Sequence, residues 1–272
     1  MILRSIPTNR TPHLTPANLI GRNFARNTFE GVQVALVGYC PRPRSLDKYR
    51  TSDTVHQYFI HVPPTNVQIG KHNSTRFFSI THVYGGPVSS ALIEELAFYE
   101  ITYVLAYGLA GGLGTKNLKM GDFYIVENAL ALDGTTPHYT SDKLIAADET
   151  LNSKIRELAK TTDIPEMRPV QALTADAIYR EYDEDLNYAV ENGCDIVNCD
   201  SSHLFAVSRE VGIKSTECGV ISDVAGGSGG EWQSTLAEML PGNNEAEQDL
   251  MILVGRIVNF YVEVLMPELL RD

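Results

Sequence analysis

The chain has 272 residues, of which 43% are hydrophobic and 21% are charged, and its formal net charge at pH 7 is -12. This composition is that of an ordinary globular protein, and the length predicts one domain over 1–272, with residues 1–10 as a flexible arm. The negative charge disfavours binding to nucleic acid or to an anionic membrane surface. A small anionic substrate stays compatible with it, because a few local arginines are enough to bind one.

The cysteine pattern and the N-terminus bear on the compartment. The four cysteines show no CxxC pair and no regular spacing, so we expect reduced thiols rather than disulfides or a metal site. Residues 1–26 contain arginines but no apolar core, unlike a secretory signal. No apolar run approaches the ~20 residues of a membrane span. We therefore expect a cytoplasmic protein.

In the first half of the chain, most predicted elements are strands. A short helix is predicted after Thr11-Pro12-His13-Leu14, and strands are predicted over 32–37, 57–62, 77–84, 103–107 and 122–128. The sequence between 43 and 75 is otherwise irregular, and 129–139 is a predicted loop. A helix with Ser89 or Ser90 near its N-cap should precede the strand at 103.

In the second half, strands alternate with helices. Helices are predicted over 144–161, 183–192, 201–211 and 245–265, and strands over 170–175, 195–198 and 214–222. Gly193 and Gly212 should end two of the helices. Alternation along the whole chain favours a three-layer α/β/α domain over a β-sandwich.

A glycine-rich stretch follows the predicted strand at 103–107. Glycines at 108, 111, 112 and 114 predict a tight turn at the strand end, open to the close approach of a ligand. The spacing matches neither a dinucleotide-binding fold nor a P-loop. The alternative is a strand end with a turn and no ligand.

Five predicted strand ends carry glycines or polar groups, at 38–42, 85–90, 108–112, 198–200 and 222–223. In open α/β sheets, ligands bind beyond the carboxyl ends of strands. From residue 11 to the C-terminal helix, the order of these motifs resembles the nucleoside phosphorylase superfamily, above all its bacterial hexameric purine nucleoside phosphorylases.

The resemblance implies a central mixed, partly barrel-like sheet and cleavage of the N-glycosidic bond of a nucleoside, by inference a purine one. It implies no metal or redox cofactor, with inorganic phosphate as a co-substrate. It also implies a homo-oligomer, either a dimer or a hexamer built as a trimer of dimers.

Three residues are expected at the sugar. Thr11-Pro12-His13 is similar to the family's early Thr-Pro-His, in which the histidine reaches the sugar 5′-hydroxyl in a neighbouring subunit. Val197-Asn198-Cys199-Asp200 stands where the family has Val-Glu-Met-Glu, so Asp200, with Asn198, would bind the sugar hydroxyls. The alternative for His13 is an exposed histidine in an arm, and for Asp200 a helix N-cap.

The expected acid and base pocket follow from two further motifs. Ser222-Asp223 matches the family's Ser-Asp pair, which makes Asp223 the general acid that protonates N7 of the leaving purine. Such an acid typically contributes ~10²–10⁴ in rate. The resemblance gives the base pocket as Ile178, Tyr179, Cys199, Ser222, Ala110 and Gly111.

The phosphate site departs from the family. Gly38-x-x-x-Arg42 resembles the Gly-Asp-Pro-x-Arg phosphate loop, and a guanidinium suits phosphate. However, Ala106 and Leu109 stand where the family has a phosphate-binding arginine and hydroxyl, and Trp232 replaces another arginine. Phosphorolysis with Arg50 or another arginine in compensation, hydrolysis by water, and nucleoside binding without catalysis all stay open.

Overall fold

The structure is a computed structural model that describes residues 11–53, 56–224, 233–234 and 244–271. The predictions for residues 1–10 and for Trp232 lie outside the described residues. The strands are β1 Val34–Gly38, β2 Val67–His72, β3 Thr75–Ile80, β4 Tyr103–Gly112, β5 Phe123–Ala131, β6 Leu144–Ala146, β7 Met167–Thr174, β8 Ile196–Asn198, β9 Lys214–Val224 and β10 Gln233–Ser234. The α-helices are α1 Pro16–Leu19, α2 Gly86–Phe98, α3 Glu149–Ala159, α4 Asp183–Glu191, α5 Ser201–Val211, α6 Asn244–Phe260 and α7 Met266–Leu269, and a π-helical turn, Tyr261–Leu265, joins the last two.

The strands form one mixed, 10-stranded sheet that is partly closed into a barrel. Its order is β10-β9-β5-β7-β8-β4-β1-β3-β2, with β6 paired to β5. An additional pairing of β9 with β4 closes a ring of β4, β9, β5, β7 and β8. β1, β3 and β2 extend from β4 as an open wing. The expected three-layer α/β fold with a partly barrel-like sheet is confirmed.

Two apolar clusters lie on the two faces of the sheet. One packs the apolar faces of α2 and α5 against the strands, through side chains such as Leu92, Leu96 and Phe205. The other packs α3, α6 and the π-helical turn against the opposite face, through side chains such as Ile155 and Val258. The periodic apolar positions of the helices therefore determine the layers.

Helix α5 and the C-terminal helix follow the sequence prediction closely. α5 spans Ser201–Val211 as predicted, and Gly212 ends it with φ of 79°, a left-handed conformation that glycine adopts without strain. The segment Leu250–Leu269 is long and apolar enough to cross a membrane by length and composition alone, but 61% of its window is buried in the protein. That degree of burial is typical of a core helix.

The predicted glycine turn is wrong, because β4 continues to Gly112. Gly108–Gly112 pairs with β9, with a register shift between Ala110 and Gly111, and its last two residues also pair with β8. A Cβ atom at Gly111 would lie 3.0 Å from Asp223 Oδ2 and 3.2 Å from Val197 Cγ1. The absence of a side chain there lets neighbouring strands approach each other.

Two predictions in the first half are also wrong. Residues 57–62 form a loop, because Gln57 donates from its amide to Val62 O at 3.1 Å while Phe59 is buried in the core. The strand β2, which was not predicted, pairs with β3 as a hairpin that turns at Asn73, with φ of 53°. The apolar pattern at 57–62 therefore reflects aromatic packing and not strand pairing.

Two helix starts differ from their predicted positions. α2 begins at Gly86 instead of near Ser89 or Ser90, since Pro87 is well suited to a first helical turn. The predicted helix over 144–161 is a strand, β6, followed by α3. Asp148 separates the two, accepting a hydrogen bond from the Leu151 amide at 2.8 Å as an N-cap.

Candidate active site

The candidate site lies where β4, β8 and β9 end together. Gly111 in β4 pairs with Val197 in β8 and with Asp223 in β9. Asp223 therefore reaches this edge from one side of Gly111, and the residues that follow Val197 reach it from the other. Two strand ends predicted from the sequence to carry functional groups are thus neighbours in space.

Asp223 stands beside Ser222 at the end of β9. The Ser222 hydroxyl donates to Asp223 Oδ1 at 2.7 Å and lies 3.3 Å from the carbonyl oxygen of Ala110. Ser222 is buried, whereas Asp223 is partly exposed. The carboxyl group is thus oriented by the protein while it keeps access to the solvent side.

Asp200 occupies the N-cap of α5 with its side chain 5% exposed. It makes no side-chain capping bond, and its Oδ1 has no hydrogen-bond partner among the described residues. Burial, with a second contribution from the negative charge of Glu217, raises the pKa of the Asp200 carboxyl group well above its ordinary value. A buried carboxyl oxygen without a protein partner is poised to gain from donors that a ligand supplies.

Asn198 is occupied by protein groups. Its amide donates to Ser201 Oγ at 2.7 Å and to Glu217 Oε1 at 3.0 Å. Its Oδ1 lies 3.4 Å from the hydroxyl of Thr174, which donates to it. These contacts place Asn198 beneath the turn that carries Asp200.

The first turn of α5 is anchored on several sides. Ser202 donates to Asp133 Oδ2 at 2.6 Å, and its own amide donates to the hydroxyl of Thr174 at 2.9 Å. The ring Nε2 of His203 lies 2.8 Å from the carbonyl oxygen of Cys199, a pairing in which Nε2–H is the donor. Burial lowers the pKa of His203, so the ring is neutral at pH 7.

Tyr39, directly after β1, and Tyr84, in the segment before α2, border the same turn. The Tyr39 hydroxyl is 2.7 Å from Ser89 Oγ, and the ring meets His203 edge-on at 6.3 Å between centroids. Burial, and after it the proximity of the Cys40 thiol and the Asp200 carboxyl group, raises the pKa of Tyr84 to about 12. Both hydroxyls are therefore protonated at pH 7.

The predicted base-pocket residues divide into two groups. Ala110 and Gly111 are buried in β4, and Cys199, a free thiol, is partly buried beside Asp200. Ile178 and Tyr179, in contrast, are 57% and 90% exposed. Ser222, also predicted for this pocket, belongs with the first group, since it is buried at the end of β9.

The predicted phosphate residues lie on the open wing. The guanidinium of Arg42 forms an ion pair with Asp47 at 2.8 Å and donates to Gln68 Oε1 at 2.6 Å. Arg42, Arg50 and Ser79 line a cavity of about 210 Å³. Gly38 ends β1 under the ring of Tyr107, since a Cβ atom at Gly38 would lie 2.8 Å from that ring.

His13 lies on an exposed segment before α1. Its predicted role involves the active site of a neighbouring subunit and stays a prediction. Within the described residues, no group of three or more His, Cys, Asp or Glu side chains is arranged to hold a metal ion.

Two acidic residues near the site were not predicted from the sequence. Glu217 is buried in β9, and Glu181, at the end of the segment that carries Tyr179, has a pKa raised by burial and by the charge of Asp223. A charged residue inside a predicted strand, directly before its apolar run, was the signal for Glu217. No comparable signal marks Glu181.

Comparisons with known proteins identify the family of the chain. The family model described as "Phosphorylase superfamily" matches residues 33–259. "Uncharacterized protein R802" of Acanthamoeba polyphaga mimivirus is 30% identical over 256 residues, which is 93% of this chain and 98% of that protein.

Two solved structures share the fold. Purine nucleoside phosphorylase from Toxoplasma gondii, in complex with immucillin-H, superposes with a TM-score of 0.64 and 18% identity over 86% of this chain and 94% of its own. The 5′-methylthioadenosine/S-adenosyl homocysteine nucleosidase of Helicobacter pylori gives a TM-score of 0.64 and 15% identity over 86% of this chain and 99% of its own. The superfamily match confirms the family and the class of enzyme expected from the sequence.

Proposed function

The chain belongs to the phosphorylase superfamily, whose chemistry is cleavage of the N-glycosidic bond of nucleosides, and we propose that it acts on a purine nucleoside with Asp223 as the general acid. The observation that carries the proposal is the arrival of Asp223 and of the Asp200 turn on two sides of Gly111. Cleavage of a glycosidic bond needs a proton for the leaving base and negative charge near the sugar, where positive charge develops. The site has one carboxyl group for each task.

Asp223 donates its proton to the base as the glycosidic bond lengthens. The Ser222 hydroxyl at 2.7 Å orients the carboxyl group for this transfer. A proton delivered in the transition state prevents negative charge from accumulating on the base.

Asp200 accepts hydrogen bonds from the sugar hydroxyls. Its buried Oδ1 has no partner among the described residues, so these donors would satisfy an otherwise costly group. Hydrogen bonds to a carboxylate favour its ionised form. Binding of the nucleoside and ionisation of Asp200 are therefore coupled, and binding should weaken as the pH falls.

For the acceptor of the sugar we propose inorganic phosphate, held by Arg42. The cavity of about 210 Å³ also places Arg50 and the buried Ser79 around the same space. Asp53 also lines this cavity, but the two arginines outnumber it, and a guanidinium suits a small anion. They would compensate for Ala106 and Leu109, which offer phosphate neither a cation nor a hydroxyl.

Hydrolysis is the second candidate, and a specific observation favours it. Arg42 is already engaged by Asp47 and Gln68, so phosphate would have to compete with both. Water needs no such cation. A third candidate is nucleoside binding without turnover. It too is favoured by the loss of phosphate-binding groups at Ala106 and Leu109.

One assay separates the three candidates. Release of base from inosine, adenosine and uridine is followed with and without phosphate, and the sugar product is identified. We expect release from the purine nucleosides to depend on phosphate and to yield ribose 1-phosphate. Equal rates without phosphate would establish hydrolysis, and calorimetric binding without turnover at high enzyme concentration would establish a binding protein.

We also propose that His13 completes the site of a neighbouring subunit in a homo-oligomer. Mixing His13→Ala with Asp223→Asn, two variants impaired alone, tests this. If His13 acts across the interface, mixed assemblies contain sites with both wild-type residues and recover up to about a quarter of the wild-type activity. Recovery will be absent if each chain supplies its own histidine.

A further inference from the structure

Glu217 is a buried carboxyl group in β9, at the point where the polar residues 214–216 give way to an apolar run. Its relative exposure is 0%, and it pairs across the sheet with Ala106 in β4. A Cβ atom at Gly108 would lie 3.7 Å from Glu217 Oε1, an ordinary van der Waals distance, so the carboxyl group lies close against β4. A buried carboxyl group is costly unless it is fully hydrogen-bonded. The hydrogen bonds of Glu217 should therefore explain why this position tolerates a glutamate.

The contacts of Glu217 tie together the two ends of one turn. Ser201 donates its hydroxyl to Glu217 Oε2 at 2.7 Å, and Asn198 donates its amide to Oε1 at 3.0 Å. Asn198 also donates to Ser201 Oγ at 2.7 Å, which closes a ring of hydrogen bonds. Between Asn198 and Ser201 lie Cys199 and Asp200, so the ring fixes the backbone that presents both.

A second link joins Glu217 to Asp200 by charge. After burial, the Coulomb interaction with Glu217 is the largest cause of the raised pKa of Asp200. Burial likewise raises the pKa of Glu217, against the hydrogen bonds from Ser201, Asn198 and Tyr124. Two interacting buried carboxyl groups titrate as a pair, because ionising both is more costly than ionising one.

We propose that Glu217 is a positioning residue: its carboxyl group holds the Asn198–Ser201 turn and sets both the place and the charge of Asp200. In the free protein the pair retains a proton. When sugar hydroxyls donate hydrogen bonds to Asp200, they stabilise its ionised form, and the pair releases its proton to solvent. The inference rests on the proposed function for this last step only, since the hydrogen bonds between Glu217 and the turn are present without substrate.

Three variants separate position from charge. Glu217→Gln keeps the size and removes the charge. Glu217→Asp keeps the charge and withdraws the carboxyl group by one methylene. Glu95→Gln is the matched control, because Glu95 is also a buried glutamate, 4% exposed, and accepts from the Ile60 amide at 3.2 Å in another part of the molecule.

The first measurement needs no activity. Hydrogen–deuterium exchange is followed in peptides that cover the turn, 196–204, and the loop around Ile60. We expect Glu217→Gln to speed exchange in the turn by about tenfold, the effect of losing a hydrogen bond to a charged group, and Glu95→Gln to speed it only around Ile60. Unchanged exchange in the turn of a folded Glu217→Gln variant would refute the claim that Glu217 holds this turn in place.

The second measurement is the pH dependence of KM for the nucleoside. Without the charge of Glu217, Asp200 ionises more readily, so the rise of KM at low pH should move to lower pH by about one unit in Glu217→Gln. Glu217→Asp should raise KM about tenfold at pH 7 and leave that limb of the profile near its wild-type position. Glu95→Gln should match wild type in both respects.

The outcomes separate the two proposals. If wild-type protein cleaves no nucleoside, the proposed function fails, and the exchange result alone still decides whether Glu217 holds the turn. If it cleaves nucleosides and the acidic limb in Glu217→Gln stays where it is in wild type, the effect on the charge of Asp200 is refuted.

Discussion

The two ends of the candidate site are built in opposite ways. Around Asp200, the turn from β8 into α5 is buried, and its side chains are held by Glu217, Asp133 and Thr174. Around Tyr179, the segment that follows β7 is exposed and forms one short 3₁₀ turn, Ile178–Arg180. The first end is preorganised, whereas the second, as far as the described residues show, is open to solvent at Ile178 and Tyr179.

This difference assigns separate tasks to the two ends. Charge development at the sugar gains most from groups that do not have to reorganise, and a carboxyl group on a turn held by buried hydrogen bonds meets that requirement. Recognition of a base needs access first, and an exposed segment gives it. We therefore expect substitutions at the buried end to affect chemistry and stability, and those at the exposed end to affect base preference.

The largest effect is expected at Asp223, where the two ends meet. Asp223→Asn cannot donate a carboxyl proton to the base, so kcat/KM should fall by about 10²–10⁴ with little change in stability. Steady-state kinetics with a purine nucleoside measure the loss. Asp142→Asn, which removes a surface carboxylate paired with Arg209, is the control and should keep wild-type activity. A fully active Asp223→Asn variant would show that another residue is the acid.

The second prediction concerns Glu95, a buried carboxyl group that has no part in the proposed reaction. Burial raises its pKa from 4.5 to about 7. The folded state therefore binds more protons than the unfolded state between these values, and stability falls as the pH rises through that window. A shift of this size corresponds to about 3 kcal/mol.

Glu95→Gln should remove that dependence. Urea unfolding of wild type at pH 4.5 and pH 8 should differ by up to about 3 kcal/mol more than unfolding of the variant does. Nucleoside KM should be unaffected in the variant. An equal pH dependence in both proteins would mean that Glu95 is not the group responsible.

The third prediction tests the phosphate side. Arg42→Met removes the guanidinium but keeps an unbranched apolar stem, and KM for phosphate should rise about tenfold or more, as expected for the loss of a charge-assisted hydrogen bond. The matched control is Arg168→Met in β7, where the arginine pairs with Asp122 at 3.3 Å away from this cavity. A phosphate KM that is the same in both variants would remove Arg42 from the phosphate site.

Much of the fold could be predicted from sequence because its signals are local. Helix α5 has a clear apolar stripe and a terminal glycine, so its bounds were predicted correctly. The strand β1 is an apolar run that is wholly buried, and β9 contains a buried apolar run at 218–221; the existence of both strands was predicted. The glycines of β4 led to the wrong prediction of a turn. A run of glycines is typical of a turn, but it also occurs where strands pack closely, and the sequence does not distinguish the two.

The site could be predicted only in part, because its contacts are between distant segments. The motifs at Ser222-Asp223 and Asp200 were found as strand ends, and the sheet brings them to one edge. The link from Glu217 to Ser201 spans 16 residues, and that from Ser202 to Asp133 spans 69. Pairings of this kind depend on the register of the closed sheet, which no local pattern specifies.

The smallest effect is expected at Tyr179, at the exposed end. With 90% of the side chain exposed, Tyr179→Ala removes almost no buried surface, so the free energy of unfolding should change by less than about 0.5 kcal/mol. If the ring closes over a bound base, KM should rise a few-fold, by about 1 kcal/mol of lost stacking, and kcat should stay near wild type. Tyr188→Ala, at a 39% exposed tyrosine on α4, is the control for removing an aromatic ring from this region. Equal KM values for the two variants would show that the open end of the site does not contact the base, and the comparison between the two ends would then reduce to one of burial alone.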